Sequence, residues 1–178
     1  LNVNSRSGNS PTIEIGDFSF VGRRNFFSSG KKIYVGPYAL TGPDCKFMGS
    51  DHLFNDPLKP FISTGTTDLS TIYVGANCWL GADVRILGNV TIGHGCVLGA
   101  GATVLSNVPP FSVVVGSPAR VLKRYDIEAK TWVRAEDFSA AQEAALPDEQ
   151  TYLSMLRANT PFIHMPTVAA GKSRGDLP

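Results

Sequence analysis

Val74, Leu80, Ile86, Ile92, Leu98 and Val104 set an aliphatic residue at every sixth position, six times in succession. Gly75, Gly81, Gly93 and Gly99 directly follow four of the six. A helix repeats its buried face every 3.6 residues and a strand every two, so neither alone yields a strict period of six. Short strands joined by corners and stacked into a parallel β-helix do yield it. Each hexad then forms one side of a triangular prism, and three hexads close a coil. The aliphatic residue fills the interior, a small residue shares it, and glycine allows close approach at the corner. Backbone hydrogen bonds run between coils, so a single coil cannot stand alone. The expected core is all-β.

The register also runs upstream, through Ile15-Gly16, Val21-Gly22, Phe27 and Ile33. It then slips by two residues to Val35-Gly36, Thr41-Gly42 and Phe47, a small corner insertion that a stack can absorb. The step from Phe47 to Val74 is not a multiple of six, and residues 49–69 mix prolines and aspartates with Ser, Thr and Gly. That stretch reads as a loop ejected from the coil, and long ordered loops are usually functional. Past Val104 the pattern decays through SNVPPFSVVVGSPAR. Residues 127–146 are rich in alanine without an internal proline, which predicts a helix stopped by Pro147. A second short helix is predicted over 148–157, acidic at its start and basic at its end. The resulting division is a β-helix over 1–122 carrying loop 49–69, a helical extension over 123–159, and an extended or disordered tail over 160–178.

A formal charge of +1 gives no electrostatic case for nucleic acid or an anionic membrane. No unbroken apolar run reaches about 18 residues, so no membrane-spanning helix is expected. Residues 1–12 are polar and unlike a signal peptide. The three cysteines form no even framework and no CxxC pair. Cys78 and Cys96 lie one circuit apart, at the hexad place shared by Val84, Val90, Ala102 and Val108, and are expected to form an inward column of small side chains. A reduced, cytoplasmic protein fits this usage, with Cys45 structural.

Residues 74–124, with NCWLGADVRIL, VTIGHGCVLGAGATV, NVPPFSVVVGSPARV and a closing KR, closely resemble the hexapeptide-repeat acyltransferases. These include galactoside, maltose, xenobiotic and polysaccharide O-acetyltransferases. The likeness extends more weakly over residues 15–52 and leaves the C-terminal 50 or so residues uncovered. It implies a left-handed prism, a homotrimer with sites between subunits, and transfer of an acetyl group from acetyl-coenzyme A to a hydroxyl or amine. His52, after a Gly-Pro corner, matches the family's loop histidine and would be the general base. Ala82 and Ala100 match corners that contact the pantetheine arm, and Trp79 the tryptophan that walls the reaction end. Arg120, Lys123 and Arg124 match the basic ending that meets the nucleotide phosphates.

The chain departs from that pattern in two places. Leu105-Ser106 replaces a common Thr-Lys, removing one expected contact to the nucleotide end. Gly22 stands where sugar acetyltransferases carry an acceptor-binding Asn, with Arg23, Arg24 and Asn25 following. Arg23 and Asn25 are therefore the expected acceptor-binding residues, suited to an acidic or larger saccharide. No GxSxG motif or Cys–His neighbour is present, which favours direct attack over an acyl-enzyme. A zinc site needs three convergent histidines. His52 and His94 are 42 residues apart and His164 lies in the tail, so no metal is expected. His94 falls at an outward hexad place and reads as an exposed bystander. A saccharide hydroxyl is the first-choice acceptor. Antibiotic hydroxyls and a nucleotide-linked amino sugar are the enzymatic alternatives, and a non-catalytic β-helix scaffold is the different-class alternative.

Overall fold

Each turn of the chain contributes one short strand to each of three faces. The structure, a computed structural model, describes residues 12–67 and 70–159. The first face stacks β1 (Thr12–Ile15), β4 (Lys32–Val35), β7 (Thr71–Val74) and β10 (Val90–Ile92), all parallel. The second stacks β2 (Phe20–Val21), β5 (Leu40–Thr41), β8 (Trp79–Leu80), β11 (Val97–Leu98) and β13 (Ser112–Gly116). The third stacks β3 (Phe26–Ser28), β6 (Lys46–Met48), β9 (Arg85–Leu87) and β12 (Thr103–Val104).

The six-residue register becomes three aliphatic ladders. Val74 pairs with Ile92, Leu80 with Leu98, and Ile86 with Val104, and all six side chains are buried. Cys78 and Cys96 lie in the interior column expected of them, and Cys45 is likewise buried; all three are free thiols. Corner glycines make the stacking possible. A Cβ on Gly81 would lie 2.6 Å from the Ala100 nitrogen, so only hydrogen fits between successive corners there.

Three edges join the faces. The edge between the third and first faces, the loop edge, emits the chain after β6 and takes it back before β7. The base of that loop is laced antiparallel. Ser70 N–H donates to the Gly49 carbonyl at 3.2 Å, Thr67 N–H to Asp51 at 2.7 Å, and Leu53 N–H to Gly65 at 3.1 Å. His52 bridges Thr66 within this stem. The edge between the second and third faces, the alanine edge, carries Pro43, Ala82 and Ala100. The edge between the first and second faces, the clasp edge, carries Tyr38, Asn77, His94 and Phe111.

The C-terminal region differs from the helical expectation. β14 (Ala119–Asp126) turns back antiparallel on β13, and β15 (Thr131–Arg134) returns along β14. The Asp126 carboxylate accepts the Glu128 and Ala129 N–H groups at 3.0 and 2.9 Å, and Lys130 adopts φ 52°, so a tight turn forms inside the alanine-rich stretch. Trp132 then packs on Tyr125, their ring centroids 5.1 Å apart. Tertiary pairing has overridden helix propensity. Only α1 (Ala140–Ala145) remains of the predicted first helix, set by a capping box in which Ser139 and Gln142 satisfy each other's backbone N–H. The second helix, α2 (Glu149–Asn159), forms near its predicted place. Among the described residues no helix is long and apolar enough to cross a membrane. Residues 160–178, the predicted tail, lie outside those described.

Candidate active site

The loop stem fixes the backbone of His52. Its N–H donates to the Asp51 carboxylate at 2.8 Å, and its β-bridge to Thr66 holds it near the prism rather than at the loop tip. Nδ1 is buried and has no hydrogen-bond partner among the described residues. At and beyond the stem, Leu53, Phe54, Leu58, Phe61 and Ile62 are all exposed, an apolar arm left uncovered by the described residues.

The alanine edge supplies a second set of expected residues. Asp83 N–H donates to the Pro43 carbonyl at 2.9 Å and Gly101 N–H to Ala82 at 2.8 Å, so these corners stand directly over one another. Ala82 and Ala100 are exposed, leaving a smooth track with no side chain beyond Cβ. Trp79 sits on the outer surface of the second face between Leu40 and Val97 and is 54% exposed. The same edge runs on to Gly116 and the turn into β14, where Arg120 borders a cleft of about 380 Å³ with Val104, Ser106, Asn107 and Val121. A register shift between Val113 and Val114 places a bulge near Leu122. Arg120 and Lys123 consequently both face solvent, whereas Val121 packs against the core and Arg124 is buried.

Fixed charge rims this track. Arg24 pairs with Asp44 at 2.6 Å, Lys46 with Asp83 at 2.7 Å, and Arg85 also contacts Asp83. The Arg24 guanidinium holds the Asp44 carboxyl below the usual carboxylate range, and the Lys46 ammonium does the same for Asp83. Both carboxyls stay ionised through neutral pH and keep the ladder intact.

Several expected residues take other places. Asn25 is engaged within the fold: Nδ2 donates to Thr41 Oγ1 at 2.5 Å, and Oδ1 accepts the Cys45 N–H at 2.8 Å. It closes the coil instead. Arg23 does remain exposed, beside the Arg24–Asp44 pair. Arg124 does not reach toward phosphates. It is 8% exposed, pairs with Glu143 at 2.7 Å, donates to the Pro110 carbonyl at 3.1 Å and lies 4.5 Å from the Phe138 ring centre. His94 is buried as well, because the C-terminal segment covers its outward position. Its Nε2 meets the Pro147 carbonyl at 3.1 Å, and its ring packs edge-on to Phe111 and against Tyr152.

Glu149, Tyr73 and Tyr152, which hold that segment down, had no signal in the sequence beyond an acidic helix start. Within one chain, the His52 stem and the Ala82–Ala100 track occupy different edges of the prism.

Comparison with known proteins agrees with this architecture. The bacterial transferase hexapeptide (six repeats) family model matches residues 71–106. A probable acetyltransferase of Mycobacterium tuberculosis is 32% identical over 135 residues, covering 76% of this chain and 42% of the relative. A putative lipopolysaccharide biosynthesis O-acetyl transferase of Escherichia coli is 34% identical over 89 residues, covering 50% of this chain and 44% of the relative. The chain therefore spans less than half the length of either relative. Among solved structures, a hexapeptide-repeat acetyltransferase of Vibrio cholerae, complexed with acetyl-coenzyme A, superposes with a TM-score of 0.59. It is 31% identical over 65% of this chain and 61% of that one. The in-register ladders, the three parallel faces and these likenesses together give the chain the left-handed parallel β-helix fold of the hexapeptide repeat, and its matched residues are similar to hexapeptide-repeat acetyltransferases.

Proposed function

We propose that the chain transfers an acetyl group from acetyl-coenzyme A to a saccharide hydroxyl, with His52 as general base. The observation that carries this reading is the pairing of two features. One is an imidazole braced at a loop stem. The other is a smooth corner track from Ala82 through Ala100 toward two exposed cations. Small side chains fit the track for a pantetheine arm, whose amides could bond to corner backbone, and Arg120 and Lys123 stand where nucleotide phosphates would end. Trp79 would flank the thioester end, and the exposed Arg23 is the residue left to meet the acceptor.

In the reaction, His52 removes the hydroxyl proton as the oxygen attacks the thioester carbonyl carbon. The tetrahedral centre collapses, the C–S bond breaks, and the imidazolium returns its proton to the thiolate. The products are the O-acetylated saccharide and free coenzyme A. Backbone N–H groups at the corners could stabilise the developing oxyanion.

Because the two halves of the site lie on different edges, a second copy would complete it. The outer side of the second face carries Phe20, Leu40 and Trp79 as exposed apolar surface suited to such packing, and the homotrimer implied by the family meets the need. A coenzyme A donor and three free thiols fit a cytoplasmic reaction.

Thiol release from acetyl-coenzyme A across hydroxyl and amine acceptors tests the reading. Release with saccharide hydroxyls is expected. Release only with amines would replace O-transfer by N-transfer, and none with any acceptor would leave the scaffold alternative.

A further inference from the structure

The clasp edge holds two aromatic residues that the fold itself does not require. Corner residues in its column adopt left-handed backbone: Phe18 at φ 60°, Tyr38 at 63°, Asn77 at 52°, Gly95 at 67° and Phe111 at 53°. Asn and Gly tolerate this region, whereas bulky side chains there are outliers that need a reason. Phe111 has one, since it is buried against His94 and Tyr152. Phe18 has no such packing: it is 67% exposed, and its one ring partner among the described residues is Tyr38, stacked at 5.4 Å and 10°.

These two rings line a groove of about 210 Å³ together with Asp17, Tyr34 and Arg157. The volume is below the range of about 300–1,000 Å³ typical of cofactor pockets and suits a single sugar ring. The side chains of Asp17, Tyr38 and Arg157 make no hydrogen bond or ion pair among the described residues, so a carboxylate, a phenol and a guanidinium remain unengaged around the aromatic pair.

We infer that this groove is an accessory carbohydrate-binding site that holds one pyranose unit of an oligosaccharide chain. The C–H face of a pyranose stacks on aromatic rings, the Asp17 carboxylate accepts from vicinal hydroxyls, and Arg157 donates to ring or hydroxyl oxygens. One acid facing one base leaves the groove without net charge, which disfavours a nucleic acid. The groove lies on a different edge from both His52 and the alanine track, so it holds a polymer away from the point of transfer and raises the local concentration of its other units. The polymeric character of the acceptor rests on the saccharide reading above; the binding site itself does not.

The test titrates the full chain with maltohexaose, chitohexaose and oligogalacturonate hexamer, and with a dT10 oligonucleotide, without coenzyme A. Binding of at least one hexasaccharide is expected, weakened about tenfold or more in both Phe18→Ala and Arg157→Ala. Thermal melting checks that the variants fold. Arg157 sits near the exposed end of α2, so that variant carries the test if Phe18→Ala does not fold. No hexasaccharide binding, binding of dT10 alone, or undiminished binding in Arg157→Ala would each overturn the inference. Saccharide binding that depends on Arg157 in a protein that acetylates no saccharide would keep this site and reject the catalytic reading. Acetylation of saccharides without such binding would do the reverse.

Discussion

Glu149 accepts the backbone N–H of Ala76 at 2.6 Å through one carboxylate oxygen, while its other oxygen accepts the Tyr73 hydroxyl at 2.6 Å. A residue from α2 thus satisfies a corner amide of the third coil that is wholly buried. With Tyr152 bonded to Asn77 at 2.5 Å and His94 to Pro147, this contact fastens the C-terminal segment along the clasp edge. Glu149→Ala leaves the Ala76 N–H without its acceptor and should cost about 1–3 kcal/mol of stability. A chemical denaturation midpoint equal to that of the parent chain would show that water replaces the carboxylate.

The same contact predicts an alkaline transition. Burial, then the Glu149 hydrogen bond, raises the Tyr73 phenol above its ordinary value. A group raised on folding stabilises fully below its unfolded pKa, about 10 for tyrosine, and loses that contribution as pH climbs through the folded value. Melting temperature should therefore fall more steeply above pH about 10 in the parent chain than in Tyr73→Phe. Parallel curves would mean the phenol is not linked to folding.

Removing the imidazole should separate chemistry from donor binding. His52→Ala is expected to lower acetyl transfer about 100-fold or more while leaving coenzyme A affinity nearly intact. Steady-state thiol release and calorimetric titration measure the two quantities, and full turnover would take His52 out of the mechanism.

A bulky side chain on the alanine edge should do the opposite. Ala100 is exposed, so Ala100→Trp adds its ring outside the buried ladders and should not disturb them. Loss of coenzyme A binding with unchanged melting is expected, and undiminished affinity would move the donor elsewhere.

Gly30 lies beneath the root of the ejected loop. A Cβ there would stand 2.1 Å from the Gly49 oxygen and 2.9 Å from the Ser70 nitrogen, both backbone atoms at the stem. Gly30→Ala must displace them, so transfer activity should drop with donor affinity preserved, alongside a stability loss of about 1–3 kcal/mol. Parent-like kinetics would show that the stem can shift without disturbing His52.

The prism was legible in the primary structure because its periodicity is local: one aliphatic residue per side, with glycine wherever backbones must nearly touch, as at Gly81 over Ala100. The ejected loop was legible for the same reason, as a break in that count. Interactions between distant residues were not. Arg124, one of a run of basic residues by sequence, is buried because a bulge turns it inward and Glu143 and Phe138 then close over it. Asn25 bonds across a coil, and His94 is covered by a segment 53 residues downstream. The alanine-rich stretch, helical by propensity, was claimed by pairing with β14. Sequence period determined which side chains point inward. Only the folded chain decided which outward ones remain free, because that depends on what later segments come to rest on each edge.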